Sequence, residues 1–341
     1  MTRAAAPIAL ALGAILSAQP QAPVDFDRAL RDVLTRSLQF TTGELAELQR
    51  GRAVKHGLEA RAPGEFGVAG AIKVAAAKAA FLDAARDIVR FKAGPEILQI
   101  GRFSAAPVIE DLAALTVDKA DFDPLRCRVG DCTIRLPAAV IQRVTKEIDL
   151  TGRSAQEDAA AWFKQVLLAD VHAYVSGGPG RFAEYNDSDR AIRPMDDFAG
   201  VLAATPAVGM LVPGLPEHLA RFPWAALPDA EDFLYWSKES FGPAPFISVT
   251  HVTIVCPTPR TCVMTTKDVY STRYIDASLA VAVITDSAAG DAIYVVYANR
   301  SRVNALRGLF SAMRKSLVER RARGTLEQSL VRLKARLEQV R

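Results

Sequence analysis

Side chains suited to holding a small molecule concentrate in the last third of the chain. They combine aromatic rings that carry a polar group with one imidazole and one guanidinium: Tyr235, Trp236, His251, Tyr270, Arg273, Tyr274 and Tyr297. An apolar pocket with a few orienting polar groups is built from residues of these types. We therefore predict that they bind a ligand.

Arg273 is the most specific of these side chains. It lies between Tyr270 and Tyr274, and its planar guanidinium can bind a carboxylate through two parallel hydrogen bonds. The same group can instead form a structural salt bridge with an acid such as Asp276. The sequence leaves both interpretations open.

Catalytic residues cannot be assigned from the sequence. Nucleophilic catalysis needs an activated Ser or Cys beside a base, and the serine motifs of known hydrolases do not occur here. His251 lies within an apolar run, where burial would lower its pKa and require a hydrogen-bond partner. It can be structural or catalytic, and a hydrolase or cyclase that uses His251 and Arg273 is the enzymatic alternative.

Metal and cofactor sites are not predicted either. His, Asp and Glu residues do not cluster at the spacing of metal ligands, and Ser176–Gly180 follows a helix where a phosphate-binding loop would precede one. The 42 basic and 38 acidic residues give a net charge of +4 and are spread through the chain. No broad basic face of the kind that nucleic acid requires is expected.

The four cysteines form two closely spaced pairs. Cys127 and Cys132 enclose a turn sequence, and Cys256 and Cys262 enclose a second turn with two prolines. We predict two local disulfides, Cys127–Cys132 and Cys256–Cys262, which an oxidising compartment would preserve. A structural zinc site is the alternative, although the spacings match it poorly.

The N-terminus predicts export. Arg3 precedes the apolar run Ala4–Leu16, and small residues end at Ala18 before Gln19-Pro20. This pattern is typical of a secretory signal peptide, so we predict a soluble periplasmic or extracellular protein. The apolar run is too short to span a bilayer comfortably, and no integral membrane segment is expected after cleavage.

The elements that carry the candidate side chains follow one another along the C-terminal part. Pro245–Cys256 predicts a strand that is covered on both faces, Val263–Ile284 predicts a long strand that breaks near Asp276, and Ala292–Ala298 predicts a third. Asn299–Ser301 offers helix N-caps. The apolar residues that then recur at helical spacing, and predict a long helix packed on the sheet, are Val303, Leu306, Leu309, Phe310, Met313 and Leu317.

Two parts of the chain together resemble the helix-grip arrangement of the START-like superfamily. Phe66–Val74 predicts a strand that runs into the helix Ala75–Phe91, and the strands and helix of Pro245–Arg323 close the chain. The resemblance implies an α+β fold in which a curved antiparallel sheet grips a long C-terminal helix. It also implies that a hydrophobic small molecule or lipid binds between sheet and helix.

The domain organisation follows from these elements. We predict a signal peptide (1–18), a helical leader (19–62), one START-like domain (63–323) and a helical tail (324–341). A large helical insertion occupies about residues 105–240, in which Glu231–Ser240 is predicted as a helix. In the tail, Leu326, Leu330, Leu333 and Leu337 form a stripe, so the functional alternative is a non-catalytic envelope protein that binds a partner through this helix.

Overall fold

The computed structural model describes residues 31–177, 184–240, 243–303, 306–307 and 311–339. The predicted signal peptide therefore lies outside the described residues. Within them, no helix combines the length and the apolar character that a membrane span requires.

One large antiparallel sheet organises the chain. The strands are β1 (Val54–Leu58), β2 (Glu65–Val74), β3 (Ile97–Arg102), β4 (Cys127–Arg128), β5 (Asp131–Cys132), β6 (Glu231–Glu239), β7 (Phe246–Thr258), β8 (Thr261–Ser271), β9 (Ile275–Asp286) and β10 (Ile293–Val303). Eight of them form the sheet in the order β1-β2-β10-β9-β8-β7-β6-β3, and β4 and β5 form a separate hairpin. The order pairs β2 with β10, so the two ends of the predicted grip meet directly.

The helices attach to this sheet on both sides. They are α1 (Thr42–Gln49), α2 (Lys78–Arg86), α3 (Ile88–Lys92), α4 (Ala138–Glu147), α5 (Ala155–Gly177), α6 (Pro194–Ala203), α7 (Ala207–Leu211), α8 (Leu215–Arg221) and α9 (Ser311–Glu338). The predicted α+β class, with a large helical insertion and a C-terminal helix packed on an antiparallel sheet, is confirmed.

The C-terminal helix α9 packs on β2 at a glycine. A Cβ atom at Gly70 would lie 2.9 Å from Leu330 Cδ1 and 3.0 Å from Leu326 Cδ2, so the missing side chain permits this close approach. Leu326, Leu330 and Leu337 are buried there. Each fully buried leucine contributes about 1.5–3 kcal/mol. The leucine stripe therefore packs within its own chain, which removes the argument for a partner helix.

The prediction that the apolar residues from Val303 to Leu317 form a helix packed on the sheet is wrong in its packing. Residues up to Val303 belong to β10, and α9 begins at Ser311 and continues through Gly324 without a break. Met313 and Leu317, which were expected to face the sheet, are 70% and 68% exposed. Leu309 and Phe310 lie outside the described residues. The helical periodicity is present, but the contact with the sheet is made by the second half of α9.

The face of the sheet that carries α2, α3 and α9 is called here the grip face. Its apolar residues form one cluster with these helices, in which Ile72, Val295 and Ile284 meet Phe81 and Leu330. The grip face therefore holds a hydrophobic core of its own.

The opposite, outer face is covered by the insertion and the leader. Residues from 103–177 and 184–192 pack on Leu234, Trp236 and Val249, while the described part of the leader and helices α6–α8 pack on residues such as Val281 and Val296. Both faces of the central strands are thus buried, as the apolar pattern of Pro245–Cys256 predicted. A capping box at Thr41 begins α1, because the Thr41 side chain accepts from Glu44 N and Glu44 accepts from Thr41 N.

Glu231–Ser240 is not a helix, and this prediction is wrong. Residues 231–239 form strand β6, which pairs with β3 and β7, so the insertion ends before it. Phe233 and Tyr235 face α2 and α9, and Leu234 and Trp236 face the insertion. A strand that is apolar on both faces shows no alternation, and its short apolar run cannot be told from a helix by periodicity.

Both predicted disulfides are confirmed. Cys127 and Cys132 are directly paired residues of the β4–β5 hairpin, and Cys256 and Cys262 join the adjoining ends of β7 and β8. Each bond closes a short loop, and the two together leave no free cysteine among the described residues.

Buried charges fasten the insertion to the sheet. Arg135 Nη2 lies 2.6 Å from Asp276 Oδ1, and both side chains are almost fully buried. The predicted pairing of Arg273 with Asp276 is replaced by this bond. Arg273 instead donates to the backbone oxygens of Ala120 and Asp121, at 3.1 and 2.5 Å.

Replacing Gly70 tests the packing of α9. A Gly70→Val side chain must displace Leu326 and Leu330 or the Val54 carbonyl oxygen, which lies 3.1 Å from the Cβ position. We expect the free energy of unfolding to fall by about 1–3 kcal/mol, measured by urea denaturation. Gly324→Ala on α9 is the control, because nothing lies within 4 Å of its Cβ position. It should stabilise the helix by up to about 1 kcal/mol. Equal stability of the Gly70→Val variant and the wild type would contradict the packing.

Candidate functional site

Polar side chains gather on one part of the grip face, although most of this face is apolar. Strand register places Tyr235 opposite Thr250, Thr250 opposite Asp268, and Tyr297 on β10 opposite Ala282. The Thr250 hydroxyl donates to Asp268 Oδ1 at 2.9 Å. We call the residues that meet there the grip recess: Lys92, Tyr235, Glu239, Asp268 and Tyr297.

A β-bulge places Asp268 and Tyr270 on opposite faces of the sheet. In β8, Tyr270 pairs with Val249 and Asp268 pairs with Thr250, so Val269 is an extra residue between them. Without the bulge, Asp268 and Tyr270 would face the same side, because side chains alternate along a strand. With it, Tyr270 joins the outer core, while Asp268 keeps the grip-face orientation that alternation from Met264 gives it.

Small residues leave space beside the polar groups. Ala280 and Ala282 occupy the grip face on β9, the strand between those that carry Tyr297 and Asp268. Asp268, Tyr297 and Lys92 lie deep in the fold and are still half-buried, not fully buried. These three side chains are therefore shielded by their neighbours but not closed off from solvent.

The first turns of α9 carry exposed apolar side chains. The helix runs in the same direction as β2, since Leu330 meets Gly70, Lys334 Nζ donates to Lys73 O at 2.8 Å, and Glu338 accepts from Ala75 N at 2.8 Å. Its earlier turns therefore extend toward the start of β2, where the exposed Met313 and Leu317 present apolar surface.

Burial shifts the protonation of the recess. Desolvation, assisted by Glu239, raises the pKa of Asp268 to about 7, against the lowering effect of Lys92 and Thr250. Burial likewise raises the pKa of Tyr297 to about 12. The electrostatic effects of Tyr235 and then Glu239 raise the pKa of Lys92, whose amine lies 5.9 Å from the Tyr235 ring centre. At neutral pH the recess therefore holds a charged lysine and neutral tyrosine hydroxyls. The carboxyl group of Asp268 is then close to the midpoint of its titration.

A second group of polar side chains lies on the outer face, where helix α8 meets β6 and β7. Asp232 Oδ1 lies 3.0 Å from His218 Nε2 and 2.9 Å from His251 Nε2, and the Thr253 hydroxyl donates to it at 2.7 Å. His218 Nδ1 lies 2.7 Å from the Ala225 oxygen, and the Tyr174 hydroxyl lies 2.8 Å from His251 Nδ1. We call His218, Asp232 and His251 the histidine cluster.

The hydrogen bonds indicate how the cluster is protonated. Both ring nitrogens of His218 face oxygen acceptors, so the ring binds best as an imidazolium. Although burial opposes it, hydrogen bonding to Asp232 raises the pKa of His218. Burial lowers the pKa of His251, which as a neutral ring donates to Asp232 and accepts from Tyr174. Desolvation acts to raise the pKa of Asp232, but hydrogen bonds to both histidines lower it overall.

Lys267 lies beside this cluster. Burial lowers its pKa to about 7, and its amine donates to the Leu219 oxygen at 2.7 Å. The amine also faces the rings of Tyr174 and Phe198, at 5.2 and 4.4 Å from their centres. Phe198 forms part of the wall of an open apolar groove of about 340 Å³ between α6, α7 and α8.

The predicted ligand-binding residues are divided between separate places. Tyr235 and Tyr297 lie in the grip recess, and His251 belongs to the histidine cluster on the other face. Trp236 donates to the Asp111 oxygen, and Tyr270 donates to the Arg135 oxygen, within the core under the insertion. Arg273 and Tyr274 bind backbone groups of loops. His251 and Arg273 share no hydrogen-bond partner among the described residues, and the enzymatic alternative stays a prediction.

Several residues of both sites were missed by the sequence analysis. Asp268, a lone carboxylate among strand residues, carried a usable signal, because an unpaired buried acid is rare. His218 and Asp232 carried no usable signal in the sequence. They lie 33 and 19 residues before His251 and belong to a helix and a neighbouring strand. Only the fold brings them together.

No protein-family model matches the chain, and no curated protein matches it. Function must therefore be inferred from the geometry of the two sites.

The ionisation of Asp268 predicts a pH dependence of stability. Its pKa rises from 3.8 to about 7 on folding, so the folded state holds the proton more tightly. Above pH 4 the wild type must progressively lose this advantage. Relative to Asp268→Asn, we expect its free energy of unfolding to fall by on the order of 2 kcal/mol between pH 4 and 7.

Urea denaturation across this pH range measures the difference. Asp189→Asn is the control, because Asp189 is exposed. If the wild type and Asp268→Asn keep a constant difference in stability from pH 4 to 8, the carboxyl group is not in the environment described.

Proposed function

We propose that this is an exported periplasmic or extracellular protein that binds an amphiphilic small molecule, such as a lipid, in the grip recess. The observation that carries the proposal is the set of deep but accessible polar groups, Asp268, Tyr297 and Lys92, beside an apolar cluster. Polar groups that serve only folding are normally closed off by partners.

The chemistry of the recess favours a ligand with two unlike ends. Apolar side chains around Val68, Phe91 and Ile100 suit a hydrocarbon body. At the polar end, Lys92 and the Tyr297 hydroxyl donate hydrogen bonds, and Asp268 donates when protonated. An oxygen-bearing head group, such as a carboxylic acid or a hydroxyl, would accept these bonds.

The architecture supports the same function. The order of β2, two helices, sheet and terminal helix is compatible with a helix-grip fold. In the START-like arrangement that the sequence resembles, the ligand is expected between sheet and helix, where the recess lies. We therefore retain membership of this superfamily as part of the proposal.

The compartment also belongs to the proposal. Two disulfides among the described residues are typical of proteins from oxidising compartments. Together with the predicted signal peptide they support export, and a carrier of an apolar molecule through an aqueous compartment would need the shielding that sheet and helix provide.

Native mass spectrometry and lipid extraction of protein secreted to the periplasm test the proposal. We expect a bound lipid in the wild type and its loss in Ala282→Leu, because the larger side chain fills space beside Tyr297. Removing one hydroxyl with Tyr297→Phe should weaken binding about fivefold to tenfold, as the loss of one hydrogen bond implies.

Tyr294→Phe is the matched control, because Tyr294 lies on the same strand and faces the outer core. It should bind like the wild type. If the wild type carries no lipid and binds none of a panel of fatty acids and sterols, or if Ala282→Leu binds as tightly as the wild type, the recess is not the binding site.

A further inference from the structure

The histidine cluster contains a set of atoms that suits a metal ion. His218 Nε2, Asp232 Oδ1 and His251 Nε2 all lie within 4.8 Å of one another. A tetrahedral ion with bonds of about 2.1 Å separates its ligands by about 3.4 Å. Small side-chain movements would therefore bring all three atoms to bonding distance.

The surrounding contacts orient both rings toward the same point. The Ala225 oxygen holds His218 Nδ1 and the Tyr174 hydroxyl holds His251 Nδ1, while Thr253 fixes the carboxylate. Metal-bound histidines are usually held in this way through the nitrogen that does not bind the metal. The cluster thus has the outer contacts of a metal site as well as its ligands.

The exposure of the three side chains leaves one direction open. His218 is 3% exposed and His251 is fully buried, but the Asp232 side chain is 21% exposed. An ion could enter past Asp232 and complete its coordination with water there. A site with three protein ligands and an open position is the kind that binds a substrate or water.

We propose that His218, Asp232 and His251 bind one divalent transition-metal ion, with zinc the best match to this ligand set. Two imidazoles and one carboxylate also suit iron(II), copper and nickel, whereas calcium and magnesium prefer oxygen ligands alone. The proposal is independent of ligand binding in the grip recess, which lies on the other face of the sheet.

Zinc binding to the full secreted protein tests this proposal. Protein purified without a histidine tag is stripped with a chelator and titrated with Zn²⁺ alone by calorimetry. We expect one ion per chain and a rise in Tm that is abolished by chelator. Cobalt(II) in place of zinc should give the absorption bands of a low-coordinate ion with nitrogen ligands.

Matched variants locate the site. His218→Ala and Asp232→Asn should each weaken zinc binding at least 100-fold, and Tyr174→Phe about tenfold, because it removes only an orienting contact. His56→Ala is the control, since His56 Nδ1 lies 3.0 Å from Glu44 but has no third ligand. It should bind zinc like the wild type.

Three results would overturn the proposal: no stoichiometric zinc in the wild type, equal affinity in Asp232→Asn, or an equal loss in His56→Ala. Circular dichroism shows whether each variant folds. If His218→Ala does not fold, Asp232→Asn and Tyr174→Phe decide, because both preserve the volume of the side chain. A stable wild type that binds no zinc would assign the cluster to a purely structural ion-pair network.

Discussion

Burial of both faces of one antiparallel sheet is the constraint on which the rest of this structure depends. Its central strands carry apolar side chains on either side, so neither face can remain in water. On the grip face the cover is α2, α3 and the second half of α9; on the outer face it is the leader and the insertion. The large insertion is thus part of the core and not an appendage to it.

Covering both faces creates two buried polar environments with different properties. On the outer face several polar groups bind one another, as in the bonds of Asp232 to both histidines and of Arg135 to Asp276. On the grip face, Asp268 has one short-range partner in Thr250, and its pKa is raised by burial. This environment of Asp268 is one reason why we propose the recess as the ligand site.

The sequence predicted the fold where its signals were local. The strand and helix of Phe66–Phe91 and both disulfides depend on neighbouring residues, and all are present, although Lys78–Arg86 and Ile88–Lys92 form two helices. Strand β6 was not predicted because apolar residues on both of its faces remove the apolar–polar alternation that marks a strand. The predicted packing of Met313 and Leu317 was wrong. Periodicity shows that a helix has an apolar face, but it does not show which surface covers that face.

The candidate sites were harder to predict because they depend on long-range contacts. Tyr235 and Tyr297 were identified by type, but the bulge at Val269 that separates Asp268 from Tyr270 is invisible in the sequence. The histidine cluster joins a helix of the insertion to two strands, so no spacing rule could reveal it.

A crystal structure of the protein purified from the periplasm is the most direct measurement of the central claim. The account predicts elongated electron density, not belonging to the protein, that begins within hydrogen-bonding distance of Tyr297 and Asp268 and continues toward the first turns of α9. A recess occupied only by ordered water, or closed by Met313 and Leu317 packed against Ala282, would contradict it.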